Sequence, residues 1–272
     1  MTTSPARTPD AVRAALSKVP EVTLYFWVIK ILATTVGETA ADYLNMTLGL
    51  GLQKTTVVTV VLLAISLCAQ FAVRRYVPAL YWWTVLLISV TGTLITDNLT
   101  DKWGVPLTVS TVVFTVALVA VFAAWYASER TLSIHSIRTH RREAFYWLAV
   151  LVTFALGTAA GDLISERLGL GYLISLIIFV AVIAALTASH YTLRLNAVLA
   201  FWAAYIVTRP LGASLGDLLT QPADAGGLGI GATATNVAFL VVIVALVGYL
   251  SATRVDRIEQ SSTEAPPRIA SR

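Results

Sequence analysis

The sequence predicts an all-α integral membrane protein. Its eight transmembrane helices form four parallel two-helix repeats, grouped as two pseudo-symmetric halves with both termini cytoplasmic. Three observations predict this. Of the 272 residues, 57% are hydrophobic and only 12% charged, whereas soluble domains carry about 25% charged residues. One motif recurs four times: an aromatic residue, Trp, nine residues, Gly, four residues, Asp. The copies are Phe26-Trp27…Gly37…Asp42, Tyr81-Trp82…Gly92…Asp97, Tyr146-Trp147…Gly157…Asp162 and Phe201-Trp202…Gly212…Asp217. Finally, the basic residues cluster in alternate loops, as the positive-inside rule requires.

Runs of about 20 apolar residues mark membrane spans. They place helices at roughly 22–44, 55–73, 78–99, 107–128, 143–164, 172–192, 195–219 and 231–252. The first is not read as a cleaved signal peptide, because Lys30 and Glu38 interrupt it and it belongs to the repeat. The repeats cover about 21–75, 76–130, 141–194 and 195–253. Residues 1–20 form a cytoplasmic N-terminal segment, and 254–272, rich in Ser, Thr, Glu and Pro, a disordered cytoplasmic tail. The motif aspartates are 55, 65 and 55 residues apart, so the chain also reads as two halves. Each repeat has an even number of helices, so all four copies share one orientation. They are parallel repeats about an axis along the membrane normal, unlike inverted-repeat transporters.

With the N-terminus inside, fourteen of the nineteen Lys and Arg fall in inner segments and three in outer loops. Lys30 and Arg209 are left within the membrane. The positive charge therefore follows topology, and no nucleic-acid partner is expected. The single Cys68 excludes an intrachain disulfide and reads as core packing. His135, His140 and His190 read as surface residues. Glycines 226–231 read as a flexible outer turn. No nucleophile–base order, phosphate loop or dinucleotide fingerprint appears, so no enzyme is expected.

The segment Lys18-Val19-Pro20-Glu21-Val22-Thr23-Leu24-Tyr25-Phe26-Trp27 and the later Gly37-Glu38-Thr39-Ala40-Ala41-Asp42 carry a resemblance. Over about residues 18–253 the chain resembles an uncharacterised bacterial membrane-protein family of four tandem two-helix repeats, each with a characteristic Trp. The resemblance implies the fold and the bacterial inner membrane. It implies no activity.

At 100° per residue, positions 4, 8, 11 and 15 before each aspartate share its helix face. The stripes are Trp27, Ile31, Thr34, Glu38, Asp42; Trp82, Leu86, Ser89, Thr93, Asp97; Trp147, Leu151, Phe154, Thr158, Asp162; and Trp202, Ile206, Arg209, Ala213, Asp217. Trp and Asp lie about 22 Å apart along the axis. The tryptophans fit either an interfacial aromatic belt or the lining of an inward-facing pathway. Thr34, Thr93 and Thr158 join the pathway-lining set. Acids inside a membrane are functional candidates, and four at one depth repel unless they hold a cation, share protons or meet bases. Two bases are available. Arg209 lies about 12 Å below Asp217 on nearly the same face, and Lys30 eight residues below Glu38. Either neutralises an acid across a helix interface or serves as a displaceable counter-charge; Lys30 could also snorkel inward. Asn45, Thr100, Ser165 and Thr220, three residues beyond each Asp, indicate that the helix continues a turn past it. The repeated Gly, followed four residues later by Ala41, Thr96, Gly161 or Gly216, marks a tight seam between helices.

Glu38 and Asp42, at i and i+4, form the most distinctive spot. Their oxygen donors suit a hard divalent cation such as manganese, and their coupled protonation suits a proton relay. The expected function is a transporter or exporter of a small cation, metal or proton-coupled, using Glu38, Asp42, Asp97, Asp162 and Asp217. No resident cofactor is expected; a divalent cation would be cargo, and the bilayer the other partner. Two alternatives stand beside it. One is a proton-coupled permease for a small organic solute. The other is a non-transporting scaffold or sensor whose loop at Arg138, Arg141 and Arg142 docks a partner or anionic lipid.

Overall fold

The structure, a computed structural model, describes residues 17–256. The expected N-terminal segment up to residue 16 and the expected disordered tail from 257 lie outside the described residues. The described residues form eight long helices and no strand: α1 Leu24–Asp42, α2 Leu52–Ala72, α3 Pro78–Asp97, α4 Leu107–Glu129, α5 His140–Asp162, α6 Gly171–Thr192, α7 Ala197–Thr220 and α8 Ala232–Thr253. Every boundary lies within three residues of its expected place. Local chemistry sets several starts. Thr23 caps α1 through the Phe26 amide, Thr139 caps α5 and Asn196 caps α7. Pro78, lacking an N–H, opens α3.

The helices do continue past the aspartates. Beyond Asp42, Asp97 and Asp162 the chain widens into one π-helical turn, Tyr43–Thr47, Asn98–Lys102 and Leu163–Arg167. The fourth copy differs: α7 stays α-helical through Asp217 to Thr220 and carries Pro210 in its interior.

Helices α1, α3, α5 and α7 form an inner ring in which each packs on the next and α7 closes on α1. The others lie outside and pack chiefly on the helix that follows them in sequence: α2 on α3, α4 on α5, α6 on α7. Helix α8 closes the set by packing on α1. The division follows composition. The inner helices carry the Gly, Thr and charged residues of the motif. The outer ones are apolar around their circumference and expose residues such as Val58, Val116, Ile177 and Val244. Cys68 belongs to that exposed surface of α2 and not to the core as expected.

Seven helices are long and apolar enough to cross a membrane; α1 is the exception among the eight. Lys30 and Glu38 lower its apolarity, and its partners are α3, α7 and α8, so protein surrounds it and a low-charge sequence is not required. The chain is a multi-pass membrane protein.

The glycine seam exists, and it is cyclic. A Cβ added to Gly37 would overlap Ser89, at Gly92 it would overlap Phe154, at Gly157 the Arg209 stem, and at Gly212 Thr34. Each glycine thus faces the residue eight before the aspartate of the next repeat, and the fourth faces the first. Aromatic contacts repeat the pattern at the other end of the ring. Phe26 packs on Trp82 at 5.5 Å, Tyr81 on Trp147 at 5.5 Å, Tyr146 on Trp202 at 6.2 Å and Phe201 on Trp27 at 5.7 Å between ring centroids.

That end, the Trp end, is further closed by short segments. The Tyr76 amide donates to Ser17 O at 3.1 Å, and the Lys18 amide to Ile137 O at 3.2 Å. Lys18 Nζ reaches Glu143 at 2.5 Å. Tyr76 donates its hydroxyl to Asp256 at 2.5 Å; burial first, then this carboxylate, pushes the phenol above its ordinary range.

Candidate functional site

Burying an arginine in a membrane bundle requires partners for its donors. Arg209 is fully buried, and its partners come from the three other repeats. Its Nη2 donates to Glu38 at 2.7 Å, to Thr158 Oγ1 at 2.7 Å and to Thr93 Oγ1. Nη1 donates to Thr34 O at 3.4 Å, and Thr93 Oγ1 also donates to Glu38 at 3.3 Å. Glu38, Thr93 and Thr158 each stand four residues before their aspartate. The fourth repeat has Ala213 there, too short to reach the centre. It contributes Arg209 from one turn lower instead, and the fourth place is filled by the guanidinium.

Of the two buried bases, Arg209 meets an acid across a helix interface: its side chain reaches Glu38 on the neighbouring α1, not Asp217 on its own helix. An i−8 residue on the same helix lies about 12 Å away along the axis, while the packing of α7 on α1 brings Glu38 within reach. Lys30, by contrast, meets no carboxylate among the described residues, which corrects its expected pairing, and it does not snorkel. It is fully buried, its Nζ donating to Thr208 Oγ1 at 3.2 Å. The ammonium lies over the rings of Tyr205 at 4.1 Å and Phe154 at 4.4 Å, a cation–π arrangement.

Above this layer, towards the Asp end, stand the four motif aspartates. Asp42, Asp97 and Asp162 are half-buried and Asp217 is buried. None forms an ion pair among the described residues. Glu38 is an electrostatic neighbour of all four, and Asp101 and Glu166 add to the same field. Among the described residues no three His, Cys, Asp or Glu side chains stand close enough to hold a metal ion together. Glu38 is engaged by Arg209, so Glu38 and Asp42 do not present the free oxygen pair that the spacing suggested.

Below the layer the axis is filled. Thr34 is wholly buried, donating to Ile31 O and Thr208 O at 2.7 and 3.3 Å. Trp82, Trp147 and Trp202 are 3–4% exposed, so these three do not form an interfacial belt; they are buried in packing, Trp202 against Phe122 and Trp125 of α4. Trp27 is half-buried beside a lateral cavity. The Tyr81 and Tyr146 hydroxyls bond one another between the neighbouring helices α3 and α5. The sequence does not single out Thr208 and Tyr205, and it offers Tyr81 and Tyr146 only as the aromatic positions of the motif. The stripe arithmetic follows one face of each helix, and these groups converge from neighbouring faces.

In the Trp-end loop, Arg142 and Arg141 pair with Glu129 at 2.7 and 3.6 Å, so two of the three arginines of the expected docking surface already have an acid.

No curated protein and no solved structure matches the chain. Four stretches, residues 25–76, 80–131, 145–195 and 200–256, match the family described as Repeat of Unknown Function (DUF347). Their limits coincide with the four copies whose contacts close the ring, and the chain belongs to that family.

Proposed function

We propose that the protein transports a small cation across the bacterial inner membrane, with Arg209 as a resident counter-charge that the arriving cation displaces. One observation carries the reading. A single guanidinium is held at the centre by one side chain from each other repeat, beneath four aspartates that form no ion pair among the described residues. Five carboxylates converging there repel one another unless protons or a cation join them. A cation entering from the Asp end competes with Arg209 for Glu38, and releasing that ion pair opens the polar layer. The donors are carboxylate and hydroxyl oxygens, which suit hard cations and protons over soft metals. In this reading the four repeats are parallel about an axis along the membrane normal. The Asp end faces outward and both termini are cytoplasmic, a reading the basic loops at the Trp end support.

Purified protein in liposomes tests this, with Mn²⁺, Mg²⁺ and Ca²⁺ flux followed alongside an internal pH dye. Glu38→Gln and Asp42→Asn are expected to abolish flux, Asp217→Asn to impair it, and Asp97→Asn or Asp162→Asn to weaken it less. Absence of cation flux and of proton movement in the unmodified protein, or full activity of Glu38→Gln, sinks the reading.

A further inference from the structure

The Arg209 layer needs a way out on the Trp side, and the axis does not provide one. Tyr81, Tyr146, Trp82, Trp147 and Trp202 are all buried there and pack against one another. A cavity of about 580 Å³ lies beside the axis, between α1, α6, α7 and the loop after α4. Its walls include Ile31, Leu186, Ala204, His135 and His190. Thr208, itself buried, also lines it, one residue before Arg209. The volume is enough for several waters at about 30 Å³ each.

Thr208 connects that space to the buried charges. Its hydroxyl accepts from Lys30 Nζ at 3.2 Å and donates to Tyr205 O at 2.8 Å. Its carbonyl accepts from Thr34 Oγ1 at 3.3 Å, and Thr34 O accepts from Arg209 at 3.4 Å. Lys30 has no acid beside it among the described residues; aromatic faces hold its ammonium, and Thr208 is its one hydrogen-bond partner there. A purely structural lysine in a membrane bundle is expected to pair with an acid. This one is poised beside a cavity, one hydroxyl away.

We infer that the lateral cavity is the water-filled inner half of the transport route, and that Lys30 is a proton-carrying group that exchanges protons with it through Thr208, next to the Arg209 layer. The inference rests on the transport reading above. The Nζ proton passes to Thr208 Oγ1 as that hydroxyl gives its own proton to cavity water, and Lys30 is reprotonated by the reverse transfer; only N–H and O–H bonds are made or broken.

The test uses full-length protein with Cys68→Ser, so that the exposed native thiol does not report. Ala204→Cys places a thiol on the cavity wall. Val150→Cys places one in the buried core of α5, at the position equivalent to Lys30, where burial is complete. A positively charged, water-soluble methanethiosulfonate reagent is added from the Trp side. Ala204→Cys is expected to react at least ~tenfold faster than Val150→Cys, because only a hydrated thiol ionises and reacts. Equal, slow labelling means the cavity holds lipid or nothing and overturns the route. Lys30→Met, in the Ala204→Cys background, is expected to abolish flux while leaving labelling unchanged; undiminished flux overturns the role of Lys30. Labelling does not depend on transport. Rapid labelling in a protein with no flux would therefore count against the transport reading alone.

Discussion

Arg209 and Glu38 illustrate how far single residues could be interpreted from the sequence. That both matter was legible from charge inside apolar helices. That they partner one another was not, because same-helix spacing says nothing about which helix lies opposite. Their pairing carries a stability prediction. Glu38→Gln leaves the guanidinium buried with only neutral acceptors, which should cost about 3–5 kcal/mol, seen as a lowered melting temperature in detergent. Replacing both partners, Glu38→Gln with Arg209→Met, should recover most of that loss, because a well-packed neutral pair removes the stranded charge. The double variant should remain inactive in the flux assay. A double variant no more stable than the single one would show that the pair is not the main interaction of the layer.

At the scale of elements, the sequence located the helices well because apolar runs in lipid are bounded by charge and turn residues. The Gly stripe also foretold a seam, since only small residues let helices in lipid approach closely. What the pattern did not carry was the partner of each outer helix, or the single π-helical turn beyond three of the four aspartates. Gly157→Leu would drive a branched side chain into the Arg209 stem and Pro210, and Gly212→Leu into Thr34. Both should abolish folded protein in a detergent-solubility assay. Gly226→Leu meets no neighbour, but its φ of +87° disfavours any side chain, at a cost of about 1–2 kcal/mol. It should therefore yield folded protein of slightly lower stability, and equal loss at all three positions would remove the seam from the account.

For the whole molecule, hydropathy and repeat length made the four-copy architecture legible, and the closed ring of inner helices fits it. Orientation rests on the distribution of basic residues. Cysteines introduced at positions 48 and 168 in a Cys68→Ser background should label from outside intact cells, while those at 76 and 136 should label only after permeabilisation. Position 76 is buried, so 136 is the more telling of the inner pair. The reversed pattern would invert the transport direction proposed above. The placement of the outer helices has a consequence for how such a chain can be divided. Helix α4 ends the first half in sequence but rests on α5 of the second, and α8 ends the second half but rests on α1 of the first. Each half lends its last helix to the other, so neither can cover its own inner surface. A polypeptide half this long would reach the same closed assembly only by exchanging helices with a second copy, much as two clasped hands each hold the other.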